Sequence, residues 1–495
     1  MASPGATVPA SDLWRETPSE LALARGRDAM AIWRDLVDDH GFPARYASAR
    51  GLRANLPTVA FFFIFWANIA VVATRFHGVP QVLASGVVVL LAIPIARYVI
   101  VERQPLAVTP VLPLVFVFLA AAALSAVASK DPSLSRAPVT TYLTEGLVLF
   151  LLMSNAVRTT KTLNRVLWAL ILAGAFMGAL SVFQELTHTY GNDYAGFAQV
   201  DRFGTGGGFN VAPSGAEEKV LRPRLGGPLG SENRYAQILA VVLPLALIRA
   251  FRDPRRRLRL VAGGATLLIT GGVLLTFSRG AAVGVAATLM LMALLRELPV
   301  RRLLVVLAVV TGVVLLVVPD YVTRLRSLEG VTALSSSDSS QRPDAAIVGR
   351  RTENLAAWNT FLDHPIVGVG PGVYFKEYSR EYANRLGLRY LQSERRGHSL
   401  YLELAADTGL IGLGAFLAMV GTPMVLLYRS ARRWRKRDPE RALLASSLLF
   451  ALFAYLACAV FLHLSYQRYF WAVLALASSA IWVARSGSTI LRAAL

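Results

Sequence analysis

The chain has 495 residues, 55% of them hydrophobic and only 17% charged, with a formal net charge of +20 and a single cysteine. A soluble domain carries about a quarter charged residues and does not string apolar runs of ~20 residues end to end, so a soluble globular class is excluded. The positive charge does not point to nucleic acid, because the arginines stand in short runs between apolar segments, and the lone Cys458 leaves no intrachain disulfide or cysteine metal cluster.

Residues 1–55 read as a cytoplasmic N-terminal arm with one amphipathic helix. Thr17-Pro18-Ser19-Glu20 has the capping-box spacing, with proline at the first helical position. Leu21, Ala24, Ala29, Trp33, Leu36 and Val37 fall roughly on one face, which suits a helix lying on the membrane surface or docked on the bundle. The arm shows no short apolar core followed by a cleavage site, so no cleavable signal is expected.

Apolar segments follow at about 56–74, 79–96, 106–128, 142–157 and 165–186; then 236–250, 258–277, 281–295 and 302–319; then 399–428, 441–464 and 468–484. The pattern predicts an all-α polytopic membrane protein with about twelve transmembrane helices. It divides into five helices over 56–186, a loop at 187–235, four helices over 236–319, a larger loop at 320–398, three helices over 399–484, and a cytoplasmic tail at 485–495.

Orientation is read from the loops. Arg97 and Arg103, the run from Arg158 to Arg165, the cluster Arg249 to Arg259, Arg296 to Arg302, and Arg429 to Arg441 all fall on one side. The short loops opposite carry only Arg75, Lys130, Arg136, Arg279 and Arg468. The basic side is therefore expected to be cytoplasmic, with both termini inside. The two long loops then lie outside, and loops of that length are usually functional or disordered. The second is partly helical around Arg350-Arg351-Thr352-Glu353 and Leu355 to Leu362. Ser335 to Ser340 reads as mobile, and Val367-Gly368-Val369-Gly370-Pro371-Gly372 as a rigid turn-rich stretch.

Candidate site residues cluster on that outer side. Arg279, between Ser278 and Gly280, stands at the start of an apolar helix, where a guanidinium fork and the positive helix end favour an anion; the alternative is an arginine reaching to lipid headgroups. Arg222 and Arg224 precede Gly230-Ser231-Glu232-Asn233-Arg234 and the sixth apolar run, where they are placed to hold phosphate or to decorate a solvated loop. Gly204-Thr205-Gly206-Gly207-Gly208 lacks the lysine of a nucleotide loop and reads as a hinge. No two of the six histidines have zinc-protease spacing, and no acidic calcium loop occurs, so no metal and no cofactor are expected. His398 alone joins an outer position, nearby arginines and a glycine-punctuated helix; a helix-capping role is the plainer alternative. Glu403 and Asp407 share one face of that helix, roughly opposite His398, and read as partners of other helices.

Three elements then match in order: Arg224-Leu225-Gly226 through Asn233, Ser278-Arg279-Gly280, and His398-Ser399-Leu400-Tyr401 through Gly409 and Gly412. Pro365 to Gly372 fits the stretch upstream of the histidine. Together they resemble the bacterial O-antigen ligase and O-antigen (Wzy-type) polymerase superfamily, over roughly residues 200–430 by motif. Ser231 departs from the asparagine that many members carry, which puts Asn233 in more doubt than the arginines.

The resemblance implies a GT-C-like membrane glycosyltransferase of the inner membrane. Such a protein moves a glycan from undecaprenyl diphosphate to a hydroxyl of lipid A-core or another glycan acceptor at the periplasmic face, without metal or nucleotide. His398 would be the base and Arg279, Arg224 and Arg222 the diphosphate ligands, with Asn233, Arg351, Glu403 and Asp407 in support. A single base and no nucleophile predict inversion at the anomeric carbon. A polymerase joining lipid-linked repeat units is the alternative within the family. A lipid-linked glycan flippase is the alternative outside it, disfavoured because the chain shows no obvious inverted repeat. Membrane lipids are expected partners; nucleic acid is not.

Overall fold

The structure, a computed structural model, describes residues 55–67, 69–80, 86–201, 209–211, 220–299, 301, 312, 345–388, 391–463 and 467–493. The amphipathic arm, the glycine run at 204–208, the serine run at 335–340 and nearly all of the 302–319 segment lie outside them. The described residues up to Ala484 belong to one compact unit.

The architecture is helical. In chain order come α1 (Leu56–Ala67), α2 (Ile69–His77), α3 (Val87–Ala96), α4 (Val111–Ala128), α5 (Pro132–Ala156, with a π-helical stretch at Tyr142–Val148) and α6 (Thr160–Leu186). Then follow α7 (Glu232–Arg252), α8 (Arg256–Leu275), α9 (Arg279–Leu294), α10 (Ala345–Asp363), α11 (Ser379–Arg385), α12 (Leu400–Trp434), α13 (Pro439–Cys458) and α14 (Gln467–Ala493). Among the described residues seven helices, α4 to α8, α12 and α13, are long and apolar enough to cross a membrane, and shorter apolar helices lie at Leu56–Phe65, Val88–Val101 and Arg279–Leu294. The fourth predicted segment is longer than its apolar run: α5 begins ten residues earlier, where Asp131 accepts from Ser133 N at 2.9 Å and Pro132 takes the first helical position.

Helix starts elsewhere follow the same local chemistry. Thr159 caps α6 through Thr162 N at 3.1 Å, Ser278 caps α9 through Ala281 N at 3.4 Å, and Asp438 caps α13 through Arg441 N at 3.1 Å. Inside the bundle α7 and α13 are buried on nearly every face. The outer helices turn bare apolar side chains outward, as at Phe116, Val127, Phe176, Leu267 and Leu417, which is the surface expected where the solvent is hydrocarbon. Small residues let backbones close up between α6 and α8. A Cβ on Gly178 would stand 2.1 Å from the Leu268 carbonyl oxygen, so only glycine fits.

The first long loop holds short strands that the apolar pattern did not predict. β1 (Gln199–Asp201) pairs antiparallel with β4 (Arg224–Gly227), Asp201 opposite Arg224, and β2 (Phe209–Val211) pairs with β3 (Val220–Arg222). Leu225 of β4 packs with Leu275 and Phe277, which pins the sheet onto the end of α8.

α12 is broken at Gly409, whose φ of 62° and ψ of −165° interrupt the helix. The turn-rich Pro365–Gly372 stretch fills the gap. Leu410 N donates to the Pro365 carbonyl at 2.8 Å, Ile411 N to Ile366 at 3.2 Å, Val369 N to Ala406 at 3.0 Å and Gly370 N to Asp407 at 2.8 Å. Irregular backbone in a membrane helix persists only where protein satisfies it, and here a loop does so strand-fashion. The break isolates the first turns of α12, Leu400 to Thr408, as a short platform held by the loop.

Candidate active site

The platform's acids are spent differently from the sequence expectation. Asp407 is buried, and its carboxylate accepts from Gly372 N at 2.9 Å and Tyr374 N at 3.2 Å; Ser125 Oγ donates to its backbone carbonyl. Asp407 thus fastens the loop to the broken helix. Glu403 pairs with Arg396 of the chain just ahead of α12, Nη1 to Oε1 at 2.8 Å, and not with another helix. Its second oxygen, Oε2, is buried with no hydrogen-bond partner.

His398 lies on the short segment between Arg396 and the platform. Its Nε2 is 3.0 Å from Oε2 of Glu353, an ionic contact outside hydrogen-bonding alignment, and Nδ1 is enclosed without a hydrogen-bond partner. Glu353 comes from α10, where Glu353, Ala356, Ala357 and Thr360 form one buried stripe at helical spacing. A carboxylate in such a stripe was a legible signal: a buried acid needs a partner, and the adjacent Arg351 is exposed on another face. Arg395 reaches the other Glu353 oxygen at 3.9 Å. Tyr374 donates to the Glu353 backbone carbonyl at 3.0 Å; burial, with Glu403, Glu353 and Asp407 nearby, pushes its phenol above the usual range, so it remains a donor.

The arginine side of the site is assembled at the first turn of α7. Arg224 is buried at 3% exposure. Its Nε donates to the Thr276 carbonyl at 2.9 Å, Nη1 to Glu232 Oε1 at 2.7 Å and Nη2 to Asn233 Oδ1 at 3.3 Å. Asn233 Oδ1 also accepts from Ser278 Oγ at 2.7 Å. The network therefore runs from β4 through α7 to the turn that carries Arg279. Phe277 in that turn holds φ at 51°, unusual for a bulky residue, and its burial keeps it there. Arg279 opens α9 half-buried, at the positive end of the helix. The β3 backbone of Arg222 is described, but its side chain lies outside the described residues.

Arg234, which sequence reasoning passed over, joins the two sides. Its Nη1 donates to the His463 carbonyl at 2.7 Å, and Nη2 stands 3.0 Å from each ring nitrogen. Burial, with Arg234 and Arg396 close by, holds the His463 imidazole well below its usual range. Two residues before His463, Phe461 packs so closely on Gly280 that a Cβ there would lie 2.8 Å away. Arg279's turn, Arg234, His463, Arg396 and His398 thus share one end of the bundle. At the far end of α7, about 30 Å away by helix rise, Glu297 gathers Arg252, Arg435 and, at 3.1 Å, Ser446 Oγ.

Of the predicted residues, the structure links Arg224, Asn233 and the Arg279 turn directly, and Glu403 and His398 through the Arg396 segment; Arg351 stands apart on the surface. Among the described residues no group of three or more His, Cys, Asp or Glu side chains is arranged to hold a metal ion. The chemistry on offer is a carboxylate–imidazole pair beside fixed guanidinium groups, which suits proton removal next to a stabilised anion. Residues 264–417, less than half of the chain, match a family model described as O-antigen ligase. That span includes Arg279, Glu353, His398, Glu403 and Asp407, and leaves out Arg224, Arg234 and His463. Comparison with curated proteins finds no match.

Proposed function

We propose that this chain, whose residues 264–417 match a family model described as O-antigen ligase, transfers a glycan from undecaprenyl diphosphate to a glycan hydroxyl at the periplasmic face of the inner membrane. The arginine-rich loops support an orientation with the His398 end of the bundle outside.

The observation that carries the reading is His398 between Glu353 and an unfilled hydrogen-bonding position. The Glu353 carboxylate, 3.0 Å from Nε2 but outside hydrogen-bonding alignment, stabilises by its charge the imidazolium that forms when His398 takes a proton. The acceptor hydroxyl gives its proton to the His398 imidazole as its oxygen bonds to the anomeric carbon. The bond from that carbon to the diphosphate oxygen breaks, and undecaprenyl diphosphate leaves with the electron pair. Arg279, at the helix start, meets the developing negative charge with a guanidinium fork. Arg224 works one step back: its donors already have protein acceptors, and it holds the Asn233–Ser278 bridge that sets the Arg279 turn. Attack in one displacement inverts the anomeric centre, and charge stabilisation by arginine leaves no step that requires a metal.

Ligase and polymerase differ in the acceptor and share this chemistry. The test is incubation of purified protein with undecaprenyl-diphosphate glycan and either lipid A-core or a second lipid-linked repeat unit, in the presence of a chelator. A new glycosidic linkage of inverted configuration is the expected product. Lipid-linked glycan crossing reconstituted vesicles with no new linkage would overturn the reading, and net retention would remove the single displacement.

A further inference from the structure

A cavity of about 420 Å³ opens between the start of α5, the Gly372–Lys376 stretch and the α12 platform. That volume falls within the ~300–1,000 Å³ of small-molecule sites. Its ionic lining is mixed: Glu145, Glu403 and Asp407 against Lys376 and Arg396. Both cations are partly committed, Arg396 to Glu403 at 2.8 Å and to the Phe375 ring at 4.9 Å, and Lys376 to the same ring at 5.2 Å.

Such a lining is a poor match for a diphosphate, since its one guanidinium, Arg396, is already paired with Glu403. It suits a neutral molecule rich in hydroxyl groups, because carboxylates accept from hydroxyls and guanidinium and ammonium groups donate to them. An independent feature points the same way. The Glu403 side chain is 9% exposed, lines the cavity, and keeps Oε2 without a hydrogen-bond partner. A buried carboxylate oxygen left unfilled is costly, and a ligand hydroxyl would fill it.

The cavity also stands in the right place. Arg396 and Glu403 on its wall flank His398, and Gly397 between them lies 3.7 Å, by its missing Cβ, from the Glu403 Cβ. Arg234 and Arg279 are not among the residues that line the cavity, and Arg234 is held by His463. We propose that this cavity is the subsite for the acceptor glycan, holding a neutral sugar ring next to the one whose hydroxyl His398 deprotonates. The assignment rests on the transferase reading and adds to it the residues that choose the acceptor.

The test separates the two. Saturation-transfer NMR on the full chain in lipid nanodiscs, with delipidated lipid A-core oligosaccharide or with free repeat-unit oligosaccharide, reads binding without turnover. Ala137→Trp narrows the cavity mouth from an exposed position, and Lys376→Ala removes an exposed donor. The wild type should take up signal from at least one oligosaccharide, Ala137→Trp should lose it at least fivefold, and Lys376→Ala should weaken it about threefold. In turnover, both variants should raise KM for the acceptor with KM for the lipid-linked donor unchanged. Absence of wild-type oligosaccharide binding overturns the subsite, as does unchanged binding in a folded Ala137→Trp or, should that variant misfold, in Lys376→Ala. A rise in donor KM alone reassigns the cavity to the donor and also overturns it. Oligosaccharide binding with no wild-type transfer would instead sink the transferase reading.

Discussion

Glu353 and His398 meet through Oε2 and Nε2 at 3.0 Å, one from the middle of a loop helix and the other from the seam ahead of α12. If His398 is the base and this carboxylate stabilises its imidazolium, His398→Ala should abolish transfer. Glu353→Gln should lower kcat about a hundredfold with little change in acceptor KM, within the ~10²–10⁴ range of general-base catalysis. Steady-state kinetics on variants with wild-type elution and melting behaviour decide it; near-normal turnover in Glu353→Gln would make Glu353 purely structural.

Arg279 sits where a planar donor fork can face a diphosphate at a helix start. Arg279→Lys keeps the charge and loses the fork, so kcat should drop at least tenfold with the fold unchanged. Full activity with lysine would end the bidentate role.

Arg224 is a different case, because removing it takes from the buried Glu232 carboxylate the guanidinium it pairs with. Arg224→Met should cost ~3–5 kcal/mol of stability. Glu232→Gln in the same chain should restore part of that. Thermal unfolding of the single and double variants reads the difference, and additive losses would show that the pair is not what holds the β4–α7 junction.

Gly409 occupies the left-handed region, and a Cβ there would stand 2.3 Å from the Ile366 carbonyl oxygen. Gly409→Ala is therefore expected to destabilise by more than ~2 kcal/mol and to loosen the Pro365–Gly372 strap. Protease cutting within 365–372 would report the loosening; a variant as resistant as wild type would contradict it.

His463 accepts from Arg234, which only donates, so the folded state favours the neutral imidazole. Its folded value lies below the unfolded one. The unfolded chain then binds the proton first as pH falls, and stability present above about 6.5 is lost as pH drops below it. His463→Gln should flatten the melting-temperature loss between about pH 6.5 and 4.5. An identical acid slope in the variant would remove His463 as its source.

The apolar runs alone determined that the chain is a helical membrane protein, because burying twenty apolar residues in water has no other economical outcome. Arg279's turn and the His398 seam were equally legible, since polar residues between such runs have few places to go. The small strands were not, being three or four residues long and set by pairing across a loop. The burial of Arg224 and the partners of Glu353, Arg234 and His463 were decided only in three dimensions. Whether an ionic group binds substrate or braces the fold depends on which groups distant in sequence arrive beside it, and local sequence carries no record of that. Glu403 makes the point: its helix position suggested a neighbouring helix, yet the break at Gly409 and the strap behind it turned it toward Arg396 and the cavity.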